Sequence, residues 1–65
     1  MADKQTFKAG DRVHVSYWVN HAQERFLDEP GTVVTDQDGH RTRVHLDREV
    51  AARWVPSLIL AARYE

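Results

Sequence analysis

The segment GTVVTDQDGHRTRVHL, residues 31–46, decides the fold of this chain. Two runs rich in valine and threonine flank residues 36–40 (DQDGH), where aspartate and glycine supply turn conformations that β-branched residues resist. This arrangement predicts a β-hairpin.

Side chains alternate along a strand, so the hairpin residues are sorted between an interior and an exterior face. In the first strand, Val33 is expected to point inward and Val34 outward, with the reverse orientation as the alternative if the register slips by one residue. The inward residues of the second strand are Thr42, Val44 and Leu46. Its outward residues are Arg41, Arg43, His45 and Asp47.

Before the hairpin, residues 12–20 (RVHVSYWVN) alternate between apolar and other side chains, which predicts a half-buried strand. The inward residues are Val13, Val15, Tyr17 and Val19. The same alternation places Trp18 outside, and a large exposed aromatic side chain is typical of a surface that docks a partner. A bulge that folds Trp18 back onto the core is the alternative.

Residues 21–30 (HAQERFLDEP) show neither strand alternation nor a helical stripe. They therefore predict a long loop after the first strand, with a partly helical turn at residues 22–27 as the alternative. Phe26 and Leu27 are expected to cover one end of the core. The acidic residues are expected to stay in water and form a rim: Glu24, Asp28 and Glu29.

After the hairpin, residues 47–50 predict a second turn and residues 51–55 (AARWV) a fourth strand. Pro56 is expected to end that strand, because proline has no backbone N–H to donate to a neighbouring strand. A single 3₁₀ turn fits after it. Residues 59–63 predict the last strand. A short helix over residues 57–64 is the alternative, since proline inside a longer helix costs about 3 kcal/mol.

Together these elements predict an all-β fold, a small five-stranded barrel in which residues 1–65 form a single domain with residues 1–6 flexible. A chain of 65 residues buries only about 60% of its unfolded surface, so its core is small and self-association is a means of stabilising it. The chain contains no cysteine, which favours a reducing setting. Residues 1–6 lack a signal-peptide pattern and no apolar run is long, so we expect a soluble cytoplasmic protein without a membrane partner.

No pattern in the sequence indicates catalysis. Ser16 and Ser57 have no nucleophile motif around them, and the pair Asp36 and Asp38 is typical of a turn. The four histidines lack the spacing of a metal site. The sequence therefore predicts a non-enzymatic protein that uses no cofactor and no metal.

The outline resembles a small SH3-like barrel. Four segments carry the resemblance: FKAGDRVHV (7–15), GTVV (31–34), RVHLD (43–47) and WVPSLIL (54–60). The last is similar to the proline-containing turn before the final strand of SH3 domains, and the first is similar to the opening of KOW and Tudor-like modules. Type II dihydrofolate reductases share the outline, but residues 52–55 read ARWV where those enzymes have Val-Gln-Ile-Tyr, so their activity is not implied.

The resemblance to SH3 domains implies that an aromatic groove binds a proline-rich peptide of another protein, and that the acidic loop of Glu24, Asp28 and Glu29 faces an arginine of that peptide. A nearly neutral chain, with ten acidic and nine basic residues, suits protein binding better than nucleic-acid binding. The first hypothesis is therefore an adaptor or regulatory protein that occupies the surface of another protein. Its predicted protein-binding residues are Tyr17, Trp18, Glu24, Asp28, Glu29, Trp54 and Pro56.

The alternative hypothesis is nucleic-acid binding, as the resemblance to KOW and Tudor-like modules implies. A basic sheet face with Trp18 or Trp54 as a stacking platform is an arrangement that barrels use for single strands. The predicted basic face consists of Arg12, His14, Arg41, Arg43, His45 and Arg53.

Overall fold

The computed structural model describes residues 6–62, which form an all-β fold of five antiparallel strands. The strands are β1 (Arg12–Val19), β2 (Arg25–Asp38), β3 (Arg41–Leu46), β4 (Arg53–Pro56) and β5 (Leu60–Ala62). A 3₁₀ turn, Ser57–Ile59, follows Pro56 and leads into β5. The predicted all-β class, the five strands and the 3₁₀ turn are confirmed, and the alternative of a helix over residues 57–64 is wrong for its described part. The flexible lead predicted for residues 1–6 lies, apart from Thr6, outside the described residues.

The five strands form one sheet in the order β4-β3-β2-β1-β5. The architecture is compatible with a small barrel-like fold, but the sheet is not closed. Closure requires pairing between the two outer strands. Within residues 6–62 the outer strands β4 and β5, only four and three residues long, each pair with a single neighbour.

The hairpin of β2 and β3 has the predicted faces, but its turn is shorter than the predicted residues 36–40, because β2 continues to Asp38 and only Gly39 and His40 separate the strands. Gly39 lies in the turn between the strands with a φ of +60°, a conformation that glycine adopts without strain. Val33 and Val44 are paired and buried, whereas Val34 is exposed. Thr42 and Leu46 are buried as well, so the predicted sorting of this hairpin is confirmed.

The core consists of side chains from every strand and from the segment before β1. Its buried apolar residues are Phe7, Val13, Val15, Phe26, Val33, Val44, Leu46, Val55 and Leu60. Thr42 is the one buried polar residue among residues 6–62, and its hydroxyl lies 2.8 Å from the Ser57 hydroxyl. This hydrogen bond ties β3 to the 3₁₀ turn.

The predicted long loop after β1 is wrong, because β2 already begins at Arg25 and extends the pairing with β1. Only a short turn separates the two strands. The side-chain oxygen of Asn20 accepts hydrogen bonds from the backbone N–H groups of Ala22 (3.0 Å) and Glu24 (2.9 Å), and Gln23 has a φ of +65°. Asparagine provides this local capping at turns, and it allows the chain to reverse within five residues.

The sorting of side chains in β1 and β2 reverses at Ser16 and Asp28, which lie opposite each other between two regular pairs. Asp28 has a φ of +52°. A left-handed residue interrupts the pleat of a strand, so the alternation restarts with the opposite phase. Ahead of this point Val13 and Val15 are buried; beyond it Trp18 packs against the core.

Four predicted orientations are corrected by this reversal. Trp18 faces inward rather than outward, while Tyr17 and Val19 are exposed instead of inward. Leu27, expected to cover the core, is exposed, and only Phe26 fills that role. The alternative in which Trp18 folds back onto the core is therefore the one observed. It does not arise from a bulge, because the register between β1 and β2 is the same on both sides of Ser16.

Candidate functional site

The end of the β1–β2 hairpin presents an apolar outer face. Pairing of β1 with β5 covers only residues 13–15, so residues 16–19 and 25–28 form a two-stranded ribbon. Tyr17 and Leu27 are cross-strand partners on this ribbon, with 55% and 62% of their surfaces exposed, and Val19 is 41% exposed. We call Tyr17, Val19 and Leu27 the ribbon surface.

The opposite face of the ribbon is held against the body of the protein. Trp18 and Phe26 are cross-strand partners, and their rings stack with centroids 5.2 Å apart. The guanidinium carbons of Arg53 and Arg48 lie 4.9 and 5.2 Å from the centroid of the buried Phe26 ring. Aromatic stacking and cation–π contacts therefore fix the ribbon in place.

The acidic residues predicted to face a ligand are largely engaged within the chain. Arg53 binds the Glu49 carboxylate at 2.6 and 2.9 Å and also contacts Glu24 at 3.3 Å. Arg48 pairs with Glu29 at 3.2 Å. Glu24 thus ties the turn between β1 and β2 to the start of β4, and Glu29 ties β2 to the segment between β3 and β4. Asp28, the third predicted acid, is exposed at the reversal point.

Two ionisable groups of this network have shifted pKa values. A hydrogen bond from the Asn20 amide (2.7 Å), and next the hydrogen bond from Arg53, hold the pKa of the Glu24 carboxyl below its ordinary value. The hydrogen bond to Glu49 raises the pKa of Arg53. Since the lowered pKa favours the ionised carboxyl, the stability that Glu24 contributes is present above its unfolded pKa and is lost as the pH falls through its folded pKa.

Replacing Asn20 with aspartate is expected to raise the pKa of Glu24. The variant keeps the side-chain oxygen that caps the turn, but it removes the amide donor and adds a like charge. Arg53→Gln is expected to raise the same pKa. An NMR titration of the Glu24 side-chain carboxyl measures both changes, with Arg43→Gln on β3 as the control. A Glu24 pKa that is the same in Asn20→Asp as in the parent would contradict this account.

A second exposed aromatic side chain lies on β4. Trp54 is 40% exposed, and the guanidinium carbon of Arg41 lies 5.1 Å from the centroid of its ring. Arg43 is the cross-strand partner of Trp54, and Pro56 is that of Arg41. We call Arg41, Arg43 and Trp54 the Trp54 surface. The strands β1 and β4 are not neighbours in the sheet, so the predicted protein-binding residues fall into a β1–β2 group and a β4 group.

The six predicted nucleic-acid-binding residues differ in their surroundings. Arg12 binds both oxygens of Asp47 at 2.9 and 3.0 Å, and Arg53 is engaged as described. The ring of His45 lies 2.7 Å from the Glu49 carbonyl oxygen, whereas His14 on β1 is paired with Pro30. The other two members, Arg41 and Arg43, belong to the Trp54 surface.

The candidate nucleophiles take part in structural hydrogen bonds. The Ser16 hydroxyl donates to the Ile59 carbonyl oxygen at 3.0 Å, and Ser57 contacts Thr42. Within residues 6–62 there is no group of three His, Cys, Asp or Glu side chains that could hold a metal ion. No helix in this part of the chain has the length and apolar character needed to cross a membrane.

Sequence reasoning missed two members of the ribbon surface, Val19 and Leu27, and named Tyr17 although alternation placed it inside. A weak signal was available in Asp28, since aspartate is among the residues that adopt a left-handed conformation. One aspartate in a polar segment does not single out that position. The reversal at Asp28 can be recognised only from its backbone conformation in the structure.

No family model matches the chain, and searches of curated proteins and of solved structures find no match. The protein is therefore described by its fold and surfaces: an open five-stranded antiparallel sheet with two exposed aromatic surfaces.

Proposed function

We propose that this protein is a non-enzymatic binding module that acts in the cytoplasm through protein–protein interaction, as a small adaptor or regulatory protein. The observation that supports the proposal is the exposed pair Tyr17 and Leu27 on a ribbon whose other face is fixed to the core. Removing apolar surface from water on binding contributes a favourable free energy of about 25 cal/mol per Å². A preformed aromatic and aliphatic face therefore favours a docking partner.

The free edge of β1 supports a specific binding mode. Among the described residues, no strand pairs with residues 16–19 on the side opposite β2. An extended segment of a partner can add to such an edge with main-chain hydrogen bonds and place its alternate side chains against an adjacent apolar face. The Ile59 carbonyl oxygen accepts a hydrogen bond from the Ser16 hydroxyl at this edge, and the residue before it, Leu58, is 96% exposed.

The strand order and the 3₁₀ turn support a relation to SH3-like modules, but the charges favour a different ligand from a proline-rich segment with arginine. Glu24 and Glu29, which would receive a ligand arginine, already bind Arg53 and Arg48. We therefore propose that the partner presents an extended segment with apolar side chains at alternate positions.

Replacing Tyr17 or Leu27 with serine is expected to preserve the fold and to weaken partner binding by about tenfold or more. Both side chains are more than half exposed, so their loss creates no cavity. The probe is an extended peptide selected from a random displayed library on the parent protein, with binding measured by NMR titration. Val50→Ser is the matched control, because Val50 is 99% exposed and belongs to the segment between β3 and β4, whose Arg48 contacts Phe26 on the face of the ribbon opposite Tyr17 and Leu27.

The proposal is supported if amide shifts map to residues 16–19 and the two serine variants lose the peptide while Val50→Ser retains it. Selected peptides that bind Tyr17→Ser as tightly as the parent would overturn it. Sedimentation of the free protein adds a further outcome. A concentration-dependent dimer that is lost in Tyr17→Ser would show that a second copy, rather than another protein, occupies the ribbon surface.

A further inference from the structure

The Trp54 surface combines a flat aromatic ring with two cationic side chains on the outer part of the sheet. Arg41 lies over the Trp54 ring, and Arg43 is directly opposite Trp54 on the neighbouring strand. The strand β4 is an outer strand of the sheet, so one side of this surface borders an unpaired strand edge among the described residues. A chain-like ligand can therefore approach it without displacing another element.

The charges of this surface are not neutralised by carboxylates as those of Arg12, Arg48 and Arg53 are. Arg12, Arg48 and Arg53 each lie within 4 Å of a carboxylate. For Arg41 and Arg43 no carboxylate of residues 6–62 lies within that distance. Two guanidinium groups therefore keep their hydrogen-bond donors available for an anion from outside the chain.

We infer that the Trp54 surface binds single-stranded nucleic acid, with a base stacked on the Trp54–Arg41 pair and a phosphate bound by Arg43. Bases stack on tryptophan rings and on arginine guanidinium planes, and arginine forms strong charge-assisted hydrogen bonds with phosphate. An acidic protein segment would use the arginines but would gain nothing from the exposed surface of the Trp54 ring. A duplex keeps its base faces stacked inside, and a chain of net charge −1 has no field to hold a duplex by its phosphates alone.

Asp38 is the neighbouring acid that opposes this binding. It is the cross-strand partner of Arg41 at the hairpin turn, although no ion pair forms between them. Its negative charge repels a phosphate near Arg41. Asp38→Asn is therefore expected to tighten binding, whereas arginine removal weakens it.

The test is a fluorescence titration with a ten-nucleotide oligo-dT at low salt, in a Trp18→Phe background that makes Trp54 the reporter. Arg41→Gln and Arg43→Gln are each expected to raise Kd by about tenfold. The slope of log K against log salt is expected to become shallower by about 0.7 for each phosphate that the variant no longer neutralises. The matched control is Arg25→Gln, which removes the same charge from the exposed Arg25 at the start of β2 and is expected to leave Kd unchanged.

Several results would overturn the inference: no quenching of Trp54 by oligo-dT, equal effects of Arg25→Gln and Arg43→Gln, or equal binding of oligo-dT and an abasic strand of the same length. Equally tight binding of oligoglutamate would show that the surface takes acidic protein segments instead. The two proposals are tested independently, because Tyr17→Ser should not change oligo-dT binding and Arg43→Gln should not change peptide binding.

Discussion

Replacing Phe26 with alanine is expected to lower the free energy of unfolding by about 4 kcal/mol. Phe26 is 1% exposed and is the buried core residue that the ribbon contributes. Its removal leaves a cavity beneath Trp18 and takes away the ring that Arg48 and Arg53 cover. A domain of this length has a total stability of about 3–10 kcal/mol, so the variant should be partly or wholly unfolded at room temperature.

Urea unfolding followed by tryptophan fluorescence measures this effect. Phe26→Leu keeps an apolar side chain in the site and loses the aromatic stacking, which is worth about 1 kcal/mol, so this variant should remain folded and measurable. Leu27→Ala is the matched control from the next position, and its change should stay within about 0.5 kcal/mol because Leu27 is exposed. A larger loss for Leu27→Ala than for Phe26→Leu would contradict the observed orientation of the ribbon.

Gly31→Ala is expected to cost about 2 kcal/mol, the second largest effect. Gly31 pairs with Val13 of β1 and with Leu46 of β3, so it lies where β2 belongs to both ladders. A Cβ atom at this position would lie 2.8 Å from the His45 carbonyl oxygen and 2.9 Å from a methyl carbon of Val44. The carbonyl belongs to the central ladder and cannot move without disturbing the pairing of β2 and β3.

Gly39→Asn is the control for Gly31→Ala, since it tests a glycine that is needed for conformation rather than for space. Gly39 has a φ of +60° and no atom near the position of a Cβ. Asparagine tolerates that conformation, so the change in unfolding free energy should be small. Thermal and urea unfolding measure the stability of both variants. If Gly31→Ala is as stable as Gly39→Asn, the contacts of the added Cβ at position 31 are relieved without a loss of stability, which would contradict this prediction.

The candidate sites show how far local patterns reach. Trp54 was named from the sequence as both a docking and a stacking residue, and it is exposed beside Arg41. Glu24 contacts Arg53, 29 positions along the chain, so two charges that the sequence analysis assigned to different surfaces are paired with each other. The sequence shows which charged residues are present, whereas their pairing depends on which segments lie close together in the folded protein.

By itself, the sequence determined the β2–β3 hairpin, the faces of β3 and the 3₁₀ turn after Pro56. These features depend on the two-residue period of a strand and on the conformations of glycine, aspartate and proline, which act within a few residues. Only the tertiary structure decided which way Trp18 faces and which arginines remain without a carboxylate. The orientation of Trp18 depends on the left-handed conformation of Asp28, and the pairing of the arginines depends on contacts between distant segments. The alternation of side chains along the sequence gives no information on either.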